Sequence, residues 1–234
     1  MWTRAITEGL GQVSSRGMPI SYSCGHGYPA VISDLYLCGQ YRNIDGPGRV
    51  LGSAGPLFIR RSTGLPITGR MTFDTSDVEQ LRATGRLDEV ITHEMGHVLG
   101  IGTLWSYLGV TGSDAQNCPY LGANANAIWQ KESECSGALP TELDGGGGTR
   151  CGHFDEACFQ NEIMTGYLSF DQENPFSRLT LASMQDMGYK IDLSMGTDVP
   201  INPSCSCKRR NLRGEEDGNI FTMHGDARTK CRMR

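Results

Sequence analysis

The sequence predicts an α+β chain, with strands gathered in its first half and a long helix after them. Three patterns carry that expectation. Between residues 34 and 74 short apolar runs alternate with turn residues. Over 87–100 apolar residues recur at helical spacing, and from 104 to 152 such repeats almost vanish. A smaller part, rich in loops and helix, is expected to close the chain.

Taken in order, residues 1–15 are expected to hold the remnant of a helix, with Trp2, Ile6 and Leu10 four apart. The runs DLYLCG, RVLGSAG, PLFIRR and ITGRMTFD read as strands, divided by the turn sequences IDGPG and STGLP. Gly46, Gly48, Gly52 and Gly55 read as tight turns, with close backbone approach as the alternative. Residues 87–100 form the clearest helix, because Leu87, Ile91, Met95 and Val98 define one buried stripe. At about 100° per residue, His93 and His97 lie within about 40° of each other and well away from that stripe. Gly100 stands where helices commonly end in a left-handed residue. Residues 104–152, which include DGGGGTR, read as a long, loop-rich excursion. A second helix is expected at about 178–187, with Leu181 and Met184 inward and Gly188 as its stop. After Asp192 the periodic signal fades. The tail from 205 on has eight Lys/Arg against four Asp/Glu and reads as a flexible end or the stub of another module.

Composition narrows the function classes. The 234 residues are 38% hydrophobic and 20% charged, with a net charge of -5. Nothing in that balance suggests the basic face that nucleic acid requires. No apolar run is long enough to span a bilayer. Nine cysteines (24, 38, 118, 135, 151, 158, 205, 207 and 231) match no paired CxxC zinc pattern. Disulfides in an oxidising compartment are the expected use, which points to an extracellular or cell-surface protein; reduced thiols in the cytoplasm are the alternative. An odd count leaves at least one thiol free or joined to another chain. The start, MWTRAITEGLGQVSS, lacks the apolar core of a secretory signal. The expectation is therefore a fragment, or a chain beginning at an internal methionine.

The chemistry is concentrated in ITHEMGHVLGIGTLW, residues 91–105. Histidines at i and i+4 of one helix put two imidazoles about one turn apart, so both reach a single ion. The glutamate beside the first reaches a water on that ion. A zinc ion, one per chain, is the expected cofactor. Its third protein ligand has to come from elsewhere, because the compact form of the motif needs a histidine at 103 and this chain has Thr103. Of the remaining histidines, His224 lies in the tail and His26 in the Gly-rich turn CGHGYP. His153 opens GHFDEACFQNEIMTGY after the excursion and is the expected ligand; a carboxylate from Glu156 or Glu162 is the rival. Lengthening the intervening loop costs little free energy. Gly100 lets the chain turn sharply off the helix so that a later residue can return to the metal.

These stretches also resemble a known family. HEMGHVLGIGTLW, a long insert and then GHFDEACFQNEIMTG closely resemble the leishmanolysin-like zinc peptidases, members of the metzincin group. The resemblance extends to IDGPGRVLGSAGP and GLPITGRMTFDTSDVEQL before the helix and to SRLTLASMQDMGYKID after it, over roughly residues 2–192. Phe154 and Thr165-Gly166 depart from residues often seen in the family. The resemblance implies a metzincin-like α+β fold: a twisted mixed sheet with an active-site helix, followed by a smaller C-terminal subdomain. It implies a catalytic domain over 1–195, divided into 1–100, an insert over 104–152 and a part over 153–195, with 196–234 as tail or stub. It also implies a methionine 11 residues after the third histidine; Met164 stands there and is expected to pack beneath the metal.

The function expected on these grounds is a zinc endopeptidase acting on proteins or peptides. His93, His97 and His153 are the expected ligands, and Glu94 the general base that activates a zinc-bound water. Tyr167 is a candidate donor to the oxyanion, with a buried structural tyrosine as the alternative. The substrate is expected to lie extended along a strand edge, for which ITGRMTFD is the candidate. The competing reading is a catalytically inactive, zinc-stabilised adhesion module at the cell surface. Retention of Glu94 argues against it, because a purely structural site needs no base.

Overall fold

The computed structural model describes residues 1–114, 116–205 and, as backbone, 230–232. Its centre is a three-stranded sheet of β3 (Tyr36–Arg42), β4 (Gly52–Ile59) and β5 (Pro66–Asp74), in the order β3-β5-β4. β5 pairs in parallel with β3 and antiparallel with β4, so the sheet is mixed. The runs RVLGSAG and PLFIRR, expected as two strands, are largely one: β4 continues through Pro56 with irregular pairing between Pro56 and Ile59. Proline is tolerated there because β4 is an edge strand, where a missing N–H need break no ladder bond. ITGRMTFD, the expected edge, lies instead in the central strand. Alternating apolar residues mark a strand but carry no information on its neighbours.

Helix α2 (Val78–Ala83) leads into α3 (Leu87–Leu99), which packs across β4 and β5. Leu51, Met71 and Phe73 from the sheet side meet Leu81, Val90 and Val98 from the two helices in one buried cluster. Of the expected stripe, Val98 is fully buried in that cluster, whereas Leu87, Ile91 and Met95 pack against it half-buried. The imidazole face of α3 is more deeply buried than Leu87, Ile91 and Met95, because the later chain folds over it. Gly100 ends the helix at φ 112°, in the left-handed region expected for it.

Two further regions depart from the sequence reading. Only Trp2–Ala5 of the N-terminal stretch is helical (α1); Gln12–Ser14 (β1) instead pairs antiparallel with Val31–Ser33 (β2). Trp2 still reaches the core, donating its Nε1 proton to Thr92 O at 2.9 Å and meeting Phe176 edge-on. The excursion contains a helix, α4 (Ala123–Ser133), which buries Ala125, Trp129 and Ser133 four residues apart. Its N-terminal N–H groups at Asn124 and Ala125 are capped by Asp186 of α6 (Arg178–Asp186), about sixty positions on. No local cap announces such a helix. The helix α6 itself falls where it was expected, with Leu181 and Met184 buried and Gly188 following at φ 101°. A single helical turn, α5 (Glu156–Phe159), follows His153, and β6 (Tyr167–Ser169) pairs with β7 (Lys230–Arg232).

Disulfides staple this loop-rich half. Cys118–Cys151 and Cys158–Cys205 do so, while Cys24–Cys38 ties the N-terminal loops to β3, and Cys135 is also disulfide-bonded. Among the residues expected as tail, 196–205 pack against the domain, with Asn202 N donating to Cys158 O at 2.8 Å. Apart from the 230–232 backbone, the rest of that tail lies outside the described residues. Among the described residues no helix is long and apolar enough to cross a membrane.

The entry to β4 is fixed by carboxylates. Asp74 accepts N–H bonds from Ile44 (2.8 Å), Asp45 (3.0 Å) and Ser76 (2.7 Å), and Asp77 accepts one from Gly48. Burial by itself would raise the Asp74 pKa; the backbone donors outweigh it and hold it at about 2. The loop before the edge strand is thus folded around a carboxylate held in its anionic form.

Candidate metal centre

The i, i+4 spacing on α3 sets His93 and His97 side by side with their Nε2 atoms 2.9 Å apart. His153 meets them from across the chain, its Nε2 3.0 Å from that of His97 and 3.2 Å from that of His93. The opposite ring nitrogens fix the tautomers. Nδ1 of His93 faces Ile163 O at 2.6 Å, that of His97 faces Ile101 O at 2.9 Å, and that of His153 faces Thr149 O at 2.9 Å. A carbonyl oxygen only accepts, so each Nδ1 carries its proton and each Nε2 presents a lone pair. Three lone pairs aimed at one another repel unless a cation lies among them. Nitrogens about 2.1 Å from one tetrahedral ion lie roughly 3.4 Å apart, a spacing the triad approaches. The donor set therefore fits a metal ion such as zinc.

The surroundings keep the imidazoles of His93 and His97 neutral. Burial, reinforced by the neighbouring His97 and His153, pushes the His93 pKa well down, and burial lowers that of His97 to about 4. Neutral imidazole is the form that binds metal. Glu94, next to His93, is fully buried, and neither of its carboxylate oxygens has a hydrogen-bond partner among the described residues. Burial raises its pKa well above the usual carboxylate range. An orphaned buried carboxylate costs free energy, so packing alone does not account for its place beside the triad.

The return of the chain to α3 is built from local backbone bonds. Glu142 N donates to His153 O, and Cys151 N to Glu142 O, while the Cys118–Cys151 disulfide closes the excursion two residues before the histidine. Met164 is fully buried beneath α3, where a side chain on Gly96 would come within 2.6 Å of its sulfur. Glu162, one of the rival ligands, turns away from the histidines. Its oxygens accept from Ser177 Oγ, Thr180 Oγ1 and Met164 N, each at 2.6 Å. It thereby ties the turn that carries Ile163 O, the partner of His93, to the start of α6. Sequence reasoning weighed Glu162 only as a ligand and missed this role; NEIMTG followed by Ser177 and Thr180 carried no recognisable sign of it. Among the described residues, no carboxylate groups with the three histidines, and Glu156 sits on α5 apart from them. His26 lies in an exposed turn away from the site, and His224 lies outside the described residues. Tyr167 is half-buried in β6 and does not line the cleft described next.

A cleft of ≈ 510 Å³ reaches His97, lined by Ser53 and Ala54 of β4, Thr103 and Ser106 after α3, and Asp114 and Arg150 of the excursion. Thr103, where the compact motif would have a ligand, donates its hydroxyl to His97 O at 2.7 Å. The edge strand β4 thus borders both the metal centre and the opening to it.

Comparison with known proteins points the same way. The family model for leishmanolysin (peptidase M8) matches residues 57–220. A leishmanolysin-like peptidase of Drosophila melanogaster is 39% identical over 67 residues, 28% of this chain and 10% of the relative. One from Drosophila pseudoobscura pseudoobscura is 36% identical over 77 residues, 32% of this chain and 11% of the relative. Leishmanolysin of Leishmania donovani is 25% identical over 169 residues, 67% of this chain and 28% of the relative. The chain thus spans less than a third of the length of each of these relatives.

Proposed function

The chain belongs to the leishmanolysin family, and from that premise we propose that it is a zinc-dependent endopeptidase that hydrolyses peptide bonds in proteins. The observation that carries the reading is the convergence of three Nε2 lone pairs beside a buried carboxylate that has no other partner among the described residues. His93, His97 and His153 would hold the ion, each oriented by its Nδ1–H bond to a backbone carbonyl. When bound, zinc supplies Lewis acidity that polarises the scissile carbonyl and makes water a nucleophile near neutral pH. Glu94 takes the proton from the attacking water at its carboxylate and delivers it to the leaving amine. A carboxylate held in a buried, unpartnered setting retains a proton more tightly than a solvated one, which suits both transfers. Met164 packs under α3 at Gly96 and keeps the helix at its distance from the returning chain.

The substrate adds as an extended strand along the edge of β4 that has no partner strand among the described residues, where Ser53 and Ala54 border the cleft. Backbone pairing there favours unfolded or extended polypeptide over folded protein. The disulfides suit an extracellular or surface setting.

The test is hydrolysis of an unstructured protein such as casein, with the metal removed and restored. The expected result is cleavage that a chelator abolishes and stoichiometric zinc restores. Cleavage that survives complete chelation, with metal content below a few per cent, would rule the reading out.

A further inference from the structure

The proposal deepens the reading above, because it concerns what holds the general base in place. Gly52, the first residue of β4, pairs with Phe73 of the central strand and faces α3. A β-carbon built on Gly52 would lie 2.7 Å from Oε1 of Glu94, 3.0 Å from its Cδ and 3.2 Å from its Cγ. These are its three nearest neighbours, and all belong to Glu94. The backbone of Gly52 lies outside the left-handed region, unlike Gly46 and Gly48 in the preceding turns. Alanine would therefore suffer no backbone strain at 52, and its nearest conflict would be with the Glu94 side chain. A glycine in a strand weakens it and commonly marks close approach by another group. Here that group is Glu94, whose fully buried oxygens have no other partner among the described residues to hold them.

We propose that Gly52 is a positioning residue for Glu94: the missing side chain on the edge strand leaves the carboxylate the space from which it exchanges protons. A β-carbon at 52 would turn the carboxylate away while leaving the three imidazoles, which Gly52 does not approach, where they are. A displacement of about 1 Å at a catalytic group can cost on the order of 100-fold in rate.

The experiment compares wild type, Gly52→Ala, Glu94→Asp and the double variant, each loaded with zinc. Metal content, thermal melting, kcat and KM on an extended peptide are measured. Gly52→Ala is expected to lower kcat by roughly 10- to 100-fold, with KM within about threefold of wild type, one zinc per chain and a cooperative melt. Glu94→Asp withdraws the carboxylate from Gly52, so in that background the alanine should cost less than about threefold. Equal losses in both backgrounds, unchanged kcat, or loss of zinc or of the melting transition in Gly52→Ala would each overturn the proposal. Glu94→Gln separates the two levels of the argument. An active Glu94→Gln enzyme removes the general-base reading itself, whereas an inactive one beside a fully active Gly52→Ala removes only the role of Gly52.

Discussion

Glu94→Gln is expected to abolish peptide hydrolysis while leaving one zinc ion per chain. The amide has nearly the shape of the carboxylate and leaves the imidazole triad untouched, since neither Glu94 oxygen bonds to a histidine or to any other described group. What it cannot do is accept a proton from water. General-base catalysis contributes about 10²- to 10⁴-fold, so kcat on casein-derived peptides should fall at least 100-fold, with KM nearly unchanged. Removing a buried carboxyl that has no hydrogen-bond partner should also leave thermal stability equal or slightly higher. A variant that keeps its zinc and more than a few per cent of wild-type kcat would take the base role from Glu94.

The second large effect belongs to His153. Its alanine variant leaves two imidazoles on α3 and a void where the third entered, and two neutral nitrogens do not hold zinc against competing chelators. Loss even of a group that only orients a ligand costs about 10- to 100-fold in metal affinity, so loss of the ligand itself should exceed that. Zinc content after dialysis should drop to a small fraction of one per chain, with activity at background. Full zinc and activity in His153→Ala would return the third ligand to a carboxylate, which the position of Glu162 on Ser177 and Thr180 argues against. His26→Ala should behave as wild type, because His26 is exposed and does not group with the triad.

Much of the site was legible because its parts are periodic or rare. Leu87, Ile91, Met95 and Val98 placed the helix, and the helix placed His93 and His97 on a common face. With only five histidines in the chain, the partner at 153 followed from where the others fall. The depth of burial did not follow: a helix face carrying two histidines and a glutamate gives no sign of its cover, yet here it is covered by segments more than fifty residues later. Strand order was equally hidden, since ITGRMTFD and RVLGSAG carry the same alternation whether central or at an edge. The helix α4 escaped notice because its cap, Asp186, comes from another helix and its buried face holds one large residue, Trp129. Gly52 read as a turn for a similar reason. What makes it a close-approach glycine is Glu94, which lies 42 positions away and packs there only after folding.

The central claim is that three imidazoles, two from α3 and one from beyond the excursion, share one ion. X-ray absorption at the zinc edge of the loaded wild-type protein tests it most directly. Three histidine nitrogens at about 2.0–2.1 Å with one or two oxygen ligands completing the shell is the predicted result. A shell with two imidazoles, or with sulfur at about 2.3 Å, would contradict it.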